Sequence, residues 1–322
     1  MTDSIQSQNT PTCIHSSNGF ISSVWGPVLW FLIHTFSFKS NIKIFKSWFK
    51  TLQYVLPCGA CRDNFLSNLK QCTNNHNNIY SNRDNLTFFI YNFHNVVNDC
   101  LNKTKPYPSY TNIKTLYTDP VFLYKPRHIR IICNNKNNNN IIPTGISLSD
   151  IPLVTPYTKS SQTPHLMKPW WFMILVCTLN FPLSNTTKHD NVRILWYKRW
   201  FMYSIYALPD MFSKTKSLLL DCIAIVEHNI GHSLYMCETR DHFVSFVLNV
   251  LYMYNIQTLG HCERIENIIT KYEALRATNC SKSTKFKKGT CKKDNKSYIC
   301  KIISLLENPK NEQETDYCFL YN

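Results

Sequence analysis

Residues 42–62 read Ile-Lys-Ile-Phe-Lys-Ser-Trp-Phe-Lys-Thr-Leu-Gln-Tyr-Val-Leu-Pro-Cys-Gly-Ala-Cys-Arg. Ile44, Phe45, Trp48, Phe49 and Leu52 recur at three- and four-residue intervals, which predicts an amphipathic helix over 42–55. Leu56-Pro57 interrupts it, and Cys58 and Cys61 follow where a second helix is expected to begin. A helix N-terminus offers unpaired N–H groups and a partial positive charge, both of which favour a thiolate over a thiol. The thiolate is the nucleophile of disulfide exchange, and a second sulfur two residues away lets the pair cycle between dithiol and disulfide. The same spacing also occurs in structural metal sites, so the flanking residues have to decide.

The helical pattern continues on both sides. Trp25 to Phe38 predicts one helix, with Pro27 tolerated in its first turn. Residues 61–69 predict a shorter one. Asp84 reads as the cap of a fourth, whose apolar stripe is Leu86, Phe89, Ile90, Phe93, Val97 and Leu101. Four helices with short connections make an all-α class with a four-helix bundle. Only seven glycines in 322 residues argue against phosphate-cradling loops and turn-dense β architecture, and 44% hydrophobic residues predict a packed core.

Residues 106–169 hold nine of the fifteen prolines and an Asn-rich run at 134–140. They read as a connection, in which 129–133 and 141–148 could pair as a hairpin. Beyond it the sequence repeats itself. Lys46, Trp48, Phe49, Tyr54, Leu56 and Pro57 align without a gap on Lys198, Trp200, Phe201, Tyr206, Leu208 and Pro209. Trp30-Phe31 has a counterpart in Trp171-Phe172, and Arg83, Asp84, Phe89, Asn92 and Asn98 align on Arg240, Asp241, Phe246, Asn249 and Asn255. In this second copy Asp210 and Ser213 stand opposite Cys58 and Cys61, Leu175 opposite His34, and Leu251 and Tyr252 opposite His94 and Asn95. The apolar frame persists and the reactive residues are gone. The expected organisation is an N-terminal segment 1–19, a bundle 20–106, a Pro/Asn-rich connection 107–167, a degenerate, mainly helical copy 168–278, and a basic tail 279–322.

Close to half of the net charge of +15 lies in one short stretch, where eight lysines between 282 and 301 face a single acid, Asp294. The rest of the chain is only mildly basic, which makes a nucleic-acid partner unlikely as the main business of the protein. The fourteen cysteines do not form a dense small-domain disulfide framework. Residues 1–17 lack an apolar leader core, and the apolar run 170–183 is too short to span a bilayer, so a cytoplasmic protein without a membrane span is expected. In a reducing compartment a disulfide-handling pair is usually catalytic.

Trp30 and His34 share one helix face, and so do His94 and Asn98. The segments Trp25-Gly26-Pro27-Val28-Leu29-Trp30-Phe31-Leu32-Ile33-His34, Pro57-Cys58-Gly59-Ala60-Cys61 and His94-Asn95-Val96-Val97-Asn98, with Leu101 and Lys103 after them, stand in the order W-G-x-x-x-W-x-x-x-H, P-C-x-x-C, H-N-x-V-N-x-x-L-x-K. Residues 20–106 therefore resemble the Erv/ALR family of FAD-linked sulfhydryl oxidases. The resemblance implies a flavin-binding bundle in which FAD sits beside the CxxC. Cys61 would be the sulfur next to the flavin, and Cys58 the outer sulfur that exchanges with substrate. Gly26, Trp30, His34, His94, Asn95, Val97, Asn98 and Lys103 fall on its cofactor-binding positions. An indole suits stacking, histidine and asparagine give directional hydrogen bonds, and a lysine suits a pyrophosphate.

The implied activity passes electrons from protein thiols through Cys58–Cys61 to FAD and then to oxygen, giving hydrogen peroxide, in an enzyme expected to form a homodimer. The two-module layout and Asn-rich composition resemble enzymes of large DNA viruses, which implies virion proteins as substrates and the host cytoplasm as location. Departures from the family pattern are Tyr91 where a structural cysteine often stands, Thr104 where proline usually follows the lysine, and no late tryptophan for the adenine, a place Tyr107 or Tyr110 could take. No second CxxC supports a zinc site, and no strand precedes the motif as in thioredoxin-like folds. Cys177, Cys222, Cys237 and Cys262 read as buried thiols, Cys72 and Cys100 as a pair that could bond, and Cys13, Cys291 and Cys300 as candidates for an electron shuttle. The rival reading is a non-enzymatic scaffold whose basic tail binds nucleic acid or an acidic partner.

Overall fold

A computed structural model describes residues 19–20, 22–73, 78–103, 106–119, 166–183, 188–260 and, beyond these, 262, 268–269, 272–273 and 276. The possible hairpin over 129–148, Cys13 and the basic tail with Cys291 and Cys300 lie outside the described residues. Within them the fold is all-α, apart from one isolated antiparallel bridge between Phe20 and Arg276.

The first bundle comprises α1 (Ser22–Lys39), α2 (Ile42–Val55), α3 (Gly59–Thr73) and α4 (Arg83–Cys100). Asn41 caps α2, its side chain accepting from the N–H groups of Lys43 and Ile44. The cap of α4 is Asn82, which accepts from Asn85 N, and Asp84 lies inside the first turn where its charge favours the helix dipole; the expected cap is thus displaced by two residues. The helix ends in a Schellman turn. Asn102 takes a left-handed conformation, its N–H bonds Asp99 O, and Lys103 N bonds Asn98 O. Phe45, Phe49, Phe65, Phe89 and Phe93 fill the centre.

A further helix, α5 (Tyr110–Thr118), lies in the segment read from sequence as connection. It starts after the prolines at 106 and 108, with Ser109 as N-cap, and packs on α1 and α4. Nine residues between proline-rich flanks carry little periodicity, which is why the sequence pattern concealed it.

The C-terminal region comprises α6 (Met167–Thr178), α7 (Lys188–Tyr206), α8 (Ser213–Ile230) and α9 (Arg240–Leu259). Pro169 to Thr178 are all buried, as expected of a helix apolar all round. Among the described residues no helix is long and apolar enough to cross a membrane.

The aligned residues perform aligned structural tasks. Arg83 donates from both terminal nitrogens to the carbonyls of Ser37 and Ser40 at the end of α1. Arg240 donates from Nε to Phe181 O just past the end of α6. Arg83 thereby satisfies a last-turn carbonyl that the end of α1 leaves unpaired, and Arg240 a carbonyl of the turn that follows α6. The two sets of helices also meet through aligned faces, α1 on α6 and α2 on α7. Leu29, Leu32, Phe36, Trp48 and Leu52 converge there with Trp170, Met173, Cys177, Trp200 and Ser204, each the counterpart of one in the first group. Trp48 Nε1 donates to Ser204 Oγ at 3.0 Å, Trp170 Nε1 to Ser204 O at 2.9 Å, and the rings of Tyr54 and Trp196 stack at 4.8 Å. A face that meets its own counterpart in this reciprocal way has the form of a two-fold interface.

Candidate functional site

The cysteine turn is held between α2 and α3. Cys58 and Cys61 are joined as a disulfide with Cα atoms 5.1 Å apart, and Cys61 N approaches Cys58 Sγ at 3.3 Å. The third helix starts at Gly59, so both sulfurs sit at its N-terminal end, as the sequence reading required. Arg62, the next residue, folds back and donates from Nη1 to Leu56 O at 2.7 Å. On the other side Phe20 N donates to Pro57 O at 2.8 Å. Gly19 lies so close that a Cβ there would come within 2.5 Å of the same carbonyl, so glycine is needed at 19.

The exposure of the two sulfurs' residues differs from the resemblance-based expectation. Cys58, expected to meet substrate, is 2% exposed, while Cys61 is half-buried. The Gly19–Phe20 segment lies over Cys58, and Arg276 in turn lies over the Phe20 ring, its guanidinium 4.5 Å from the ring centroid. Sequence gave no sign of this cover, because it depends on a strand-like bridge between residues 256 positions apart in the chain.

The second group of residues lies where α1 and α4 face each other. Trp30 and His94 stack with ring centroids 3.8 Å apart and planes 7° from parallel. His34 Nε2 and His94 Nδ1 are 2.9 Å apart, one donating to the other. Tyr117, from α5, completes the wall, 5.2 Å from His34 between ring centroids. Burial alone pushes His34 down to about 4; burial, then His34 and Lys103, push His94 down to about 2. Both imidazoles are therefore neutral near pH 7, each a donor at one nitrogen and an acceptor at the other.

Two buried atoms here lack any protein partner among the described residues, His34 Nδ1 and Asn98 Oδ1. Gly26 lies on α1 four residues before Trp30, and a Cβ there would meet nothing within 4 Å. Asn95 and Val97 are half-buried, and Lys103 emerges from the Schellman turn with its ammonium disfavoured by desolvation. Unpaired buried polar atoms, a flat aromatic wall and open space at Gly26 fit a planar ligand that offers hydrogen-bonding edges.

The structure thus brings Trp30, His34 and His94 together, with Asn98 buried one turn after His94 on α4, and adds Tyr117, which sequence reasoning missed. The one available signal was its position seven residues after Tyr110, on the same face of a helix. Tyr107 and Tyr110, considered for the adenine end, are engaged in structure: Tyr107 donates to Asp99, and Tyr110 Oη lies 2.8 Å from Thr87 Oγ1. Cys72 and Cys100 do not bond to each other; both are free thiols, Cys100 exposed and directed at Asn68. Cys177, Cys222 and Cys237 are buried, and desolvation pushes the last two up to about 11, which makes them poor nucleophiles at neutral pH. Cys262 is half-buried.

The counterpart region in α6 and α9 is filled. Trp171 packs on Tyr254, Phe172 on Tyr272, and all four are almost fully buried. Among the described residues no group of three His, Cys, Asp or Glu could hold a metal ion. Residues 27–117 match the family model described as Erv1 / Alr family, a span that runs from the second turn of α1 to the last turn of α5. No curated protein and no solved structure matches the chain.

Proposed function

We propose that the N-terminal bundle, through α5, is a FAD-dependent sulfhydryl oxidase that forms disulfides in protein substrates, and that the C-terminal helices are a degenerate copy without an active site. The observation that carries this reading is the pairing of a disulfide at the head of α3 with the cluster of Trp30, His34, His94 and Asn98, in which two buried polar atoms await a partner. The family match over residues 27–117 covers both parts and supports an oxidoreductase of the FAD-linked sulfhydryl oxidase kind.

Trp30 and His94 would supply the stacking surface for the flavin, and His34, Asn95 and Asn98 its hydrogen bonds. Gly26 and Val97 would supply room and apolar contact, and Lys103 the charge for the pyrophosphate. When bound, FAD supplies a two-electron acceptor for the cysteine pair and returns the electrons to oxygen as peroxide. The protein's own step is exchange. A substrate thiolate attacks Cys58 Sγ, the Cys58–Cys61 bond breaks, and Cys61 leaves as a thiolate stabilised at the α3 N-terminus. The second substrate thiol then attacks the mixed disulfide and releases Cys58, so one disulfide is made and one consumed. Access to Cys58 requires the Gly19–Phe20 segment to move aside.

In this reading virion proteins made in a host cytoplasm are natural substrates. The α2 face is already covered by α7, so a homodimer would use another surface. The test is colour. Purified protein is expected to be yellow, with a flavin spectrum that bleaches under anaerobic dithiol and recovers in air. A colourless protein that takes up no added FAD defeats the proposal.

A further inference from the structure

The main chain entering the cysteine turn is held by donors from the other half of the molecule. Helix α2 ends at Val55, so its last carbonyls have no partner within the helix, and they carry the negative end of its dipole. That end lies three residues before Cys58. Arg193 Nε donates to Tyr54 O at 3.3 Å, and Tyr197 Oη lies 3.2 Å from Val55 O and 2.9 Å from Asn180 O, its one proton shared between the two carbonyls. Both come from α7. Arg193 Nη2 lies 3.5 Å from Tyr197 Oη, and Asn180 Nδ2 donates to the same hydroxyl at 3.1 Å.

The arrangement runs one way. The counterparts of Arg193 and Tyr197 in the repeat are Asn41 and Phe45. Asn41 caps its own helix, and Phe45 is wholly buried against Phe49. The reciprocal carbonyl, Ala207 O, receives the Ser40 hydroxyl. The cationic and phenolic donors therefore point from the half that lacks the cysteines to the half that has them. A purely structural two-fold contact gives no reason for that asymmetry.

We propose that Arg193 and Tyr197 are positioning residues for the Cys58–Cys61 pair: by occupying the carbonyls of Tyr54 and Val55 they hold the turn and neutralise the negative end of α2 beside Cys58, which favours its thiolate. The C-terminal half is thus a working part of the redox site. The charged groups around this turn include Arg62 and Asp63 from α3, Arg193 and Asp190 from α7, Arg240 from α9, which interacts with Arg193 and Tyr197, and Arg276 over Phe20 with its partner Glu273; the buried Cys177 thiol of α6 interacts with Arg62. Asp190 lies 3.9 Å from Arg193, so loss of the arginine also leaves that carboxylate without this cation. Burial first, then Arg193, lowers the Arg62 pKa, in keeping with two guanidiniums held close around the turn.

The inference rests on the Cys58–Cys61 pair being redox-active, as proposed above. Full-length protein is equilibrated in glutathione buffers of graded poise, quenched by alkylation, and the peptide carrying both cysteines is weighed. The alkylation rate of Cys58 in reduced protein is followed against pH. Arg193→Gln is expected to shift the equilibrium towards the disulfide by about threefold or more and to raise the apparent Cys58 thiol pKa. Tyr197→Phe should act in the same direction and more weakly, and Arg193→Lys should restore part of the effect. Arg199→Gln, a cation lost from an exposed position of the same helix, should leave both readouts at wild type.

If Arg193→Gln titrates as wild type does, or if Arg199→Gln shifts it equally, the inference is overturned. Should Tyr197→Phe fail to fold, the Arg193→Gln and Arg193→Lys pair decides alone. The oxidase reading fails separately. Wild-type protein without flavin or dithiol turnover would sink that reading, while a shifted glutathione equilibrium in Arg193→Gln would still support the clamp.

Discussion

The two halves of this chain differ least in their helix ends and most in what faces the centre of each helix pair. Arg83 and Arg240 close the ends of α1 and α6 in the same manner. Between α1 and α4 lie Trp30, His34, His94 and Asn98, with buried polar atoms unpaired. Between α6 and α9 lie Trp171 and Tyr254 in a packed core, where Trp171 Nε1 is also unpaired among the described residues but Leu175 and Leu251 stand in place of the histidines. A fold can keep its capping and its interface while one copy fills its ligand space with side chains. Burying an apolar residue where a histidine stood stabilises the scaffold, and leaving a buried polar atom unpaired costs about 1–3 kcal/mol until a ligand satisfies it. The half that keeps the two histidines beside its unpaired atoms is the one expected to bind.

The comparison is broken most directly at the cysteines. Cys58→Ser or Cys61→Ser is expected to lower dithiol-dependent oxygen consumption by about a thousandfold or more, while Cys222→Ser, in the other half, leaves it unchanged. Full activity in both cysteine mutants would show that the chemistry lies elsewhere.

Acid should separate the halves next. His34 and His94 are held neutral, with folded pKa values near 4 and 2 against an ordinary 6.5. The unfolded chain binds more protons than the native one below about pH 6.5, so stability is fully present above that value and falls as pH drops through it. For His34 alone the loss approaches about 3 kcal/mol at pH 4, and His34→Leu should flatten that limb in urea unfolding. An acid limb unchanged in His34→Leu would contradict the buried neutral imidazole.

Arg83→Ala and Arg240→Ala should each cost about 2 kcal/mol, because each strands a carbonyl at or just past a helix end, and the two values should agree within about 1 kcal/mol. Denaturant unfolding at neutral pH tests this; a large effect at one position only would argue against equivalent roles. The smallest expected effect is at the contact between halves. Trp196→Ala removes a ring stacked on Tyr54 and should cost about 1 kcal/mol, with a small loss of dithiol turnover through the α2 end.

Much of this was legible in the chain. The three- and four-residue spacing of Phe45, Trp48, Phe49 and Leu52 gives α2 its bounds, since Leu56-Pro57 cannot continue a helix. Trp30 with His34, and His94 with Asn98, were legible as units, because i, i+4 pairs share a helix face whatever the tertiary packing. Other features were hidden. Tyr117 joins His34 through a short helix whose local signal is weak. Tyr91 is only half-buried near Tyr110, so its place in the family pattern carries no cysteine chemistry here.

By itself the sequence determined the four helices of the first bundle and where the paired sulfurs stand, for these depend on local periodicity and residue identity. Tertiary structure alone decided that Gly19–Phe20 covers Cys58, that α2 meets α7 face to face, and that Arg193 and Tyr197 hold the carbonyls of Tyr54 and Val55. Those contacts join residues more than a hundred positions apart or depend on which way a loop returns. Such pairings are set by the packing of whole faces, where no short-range pattern in the chain records them.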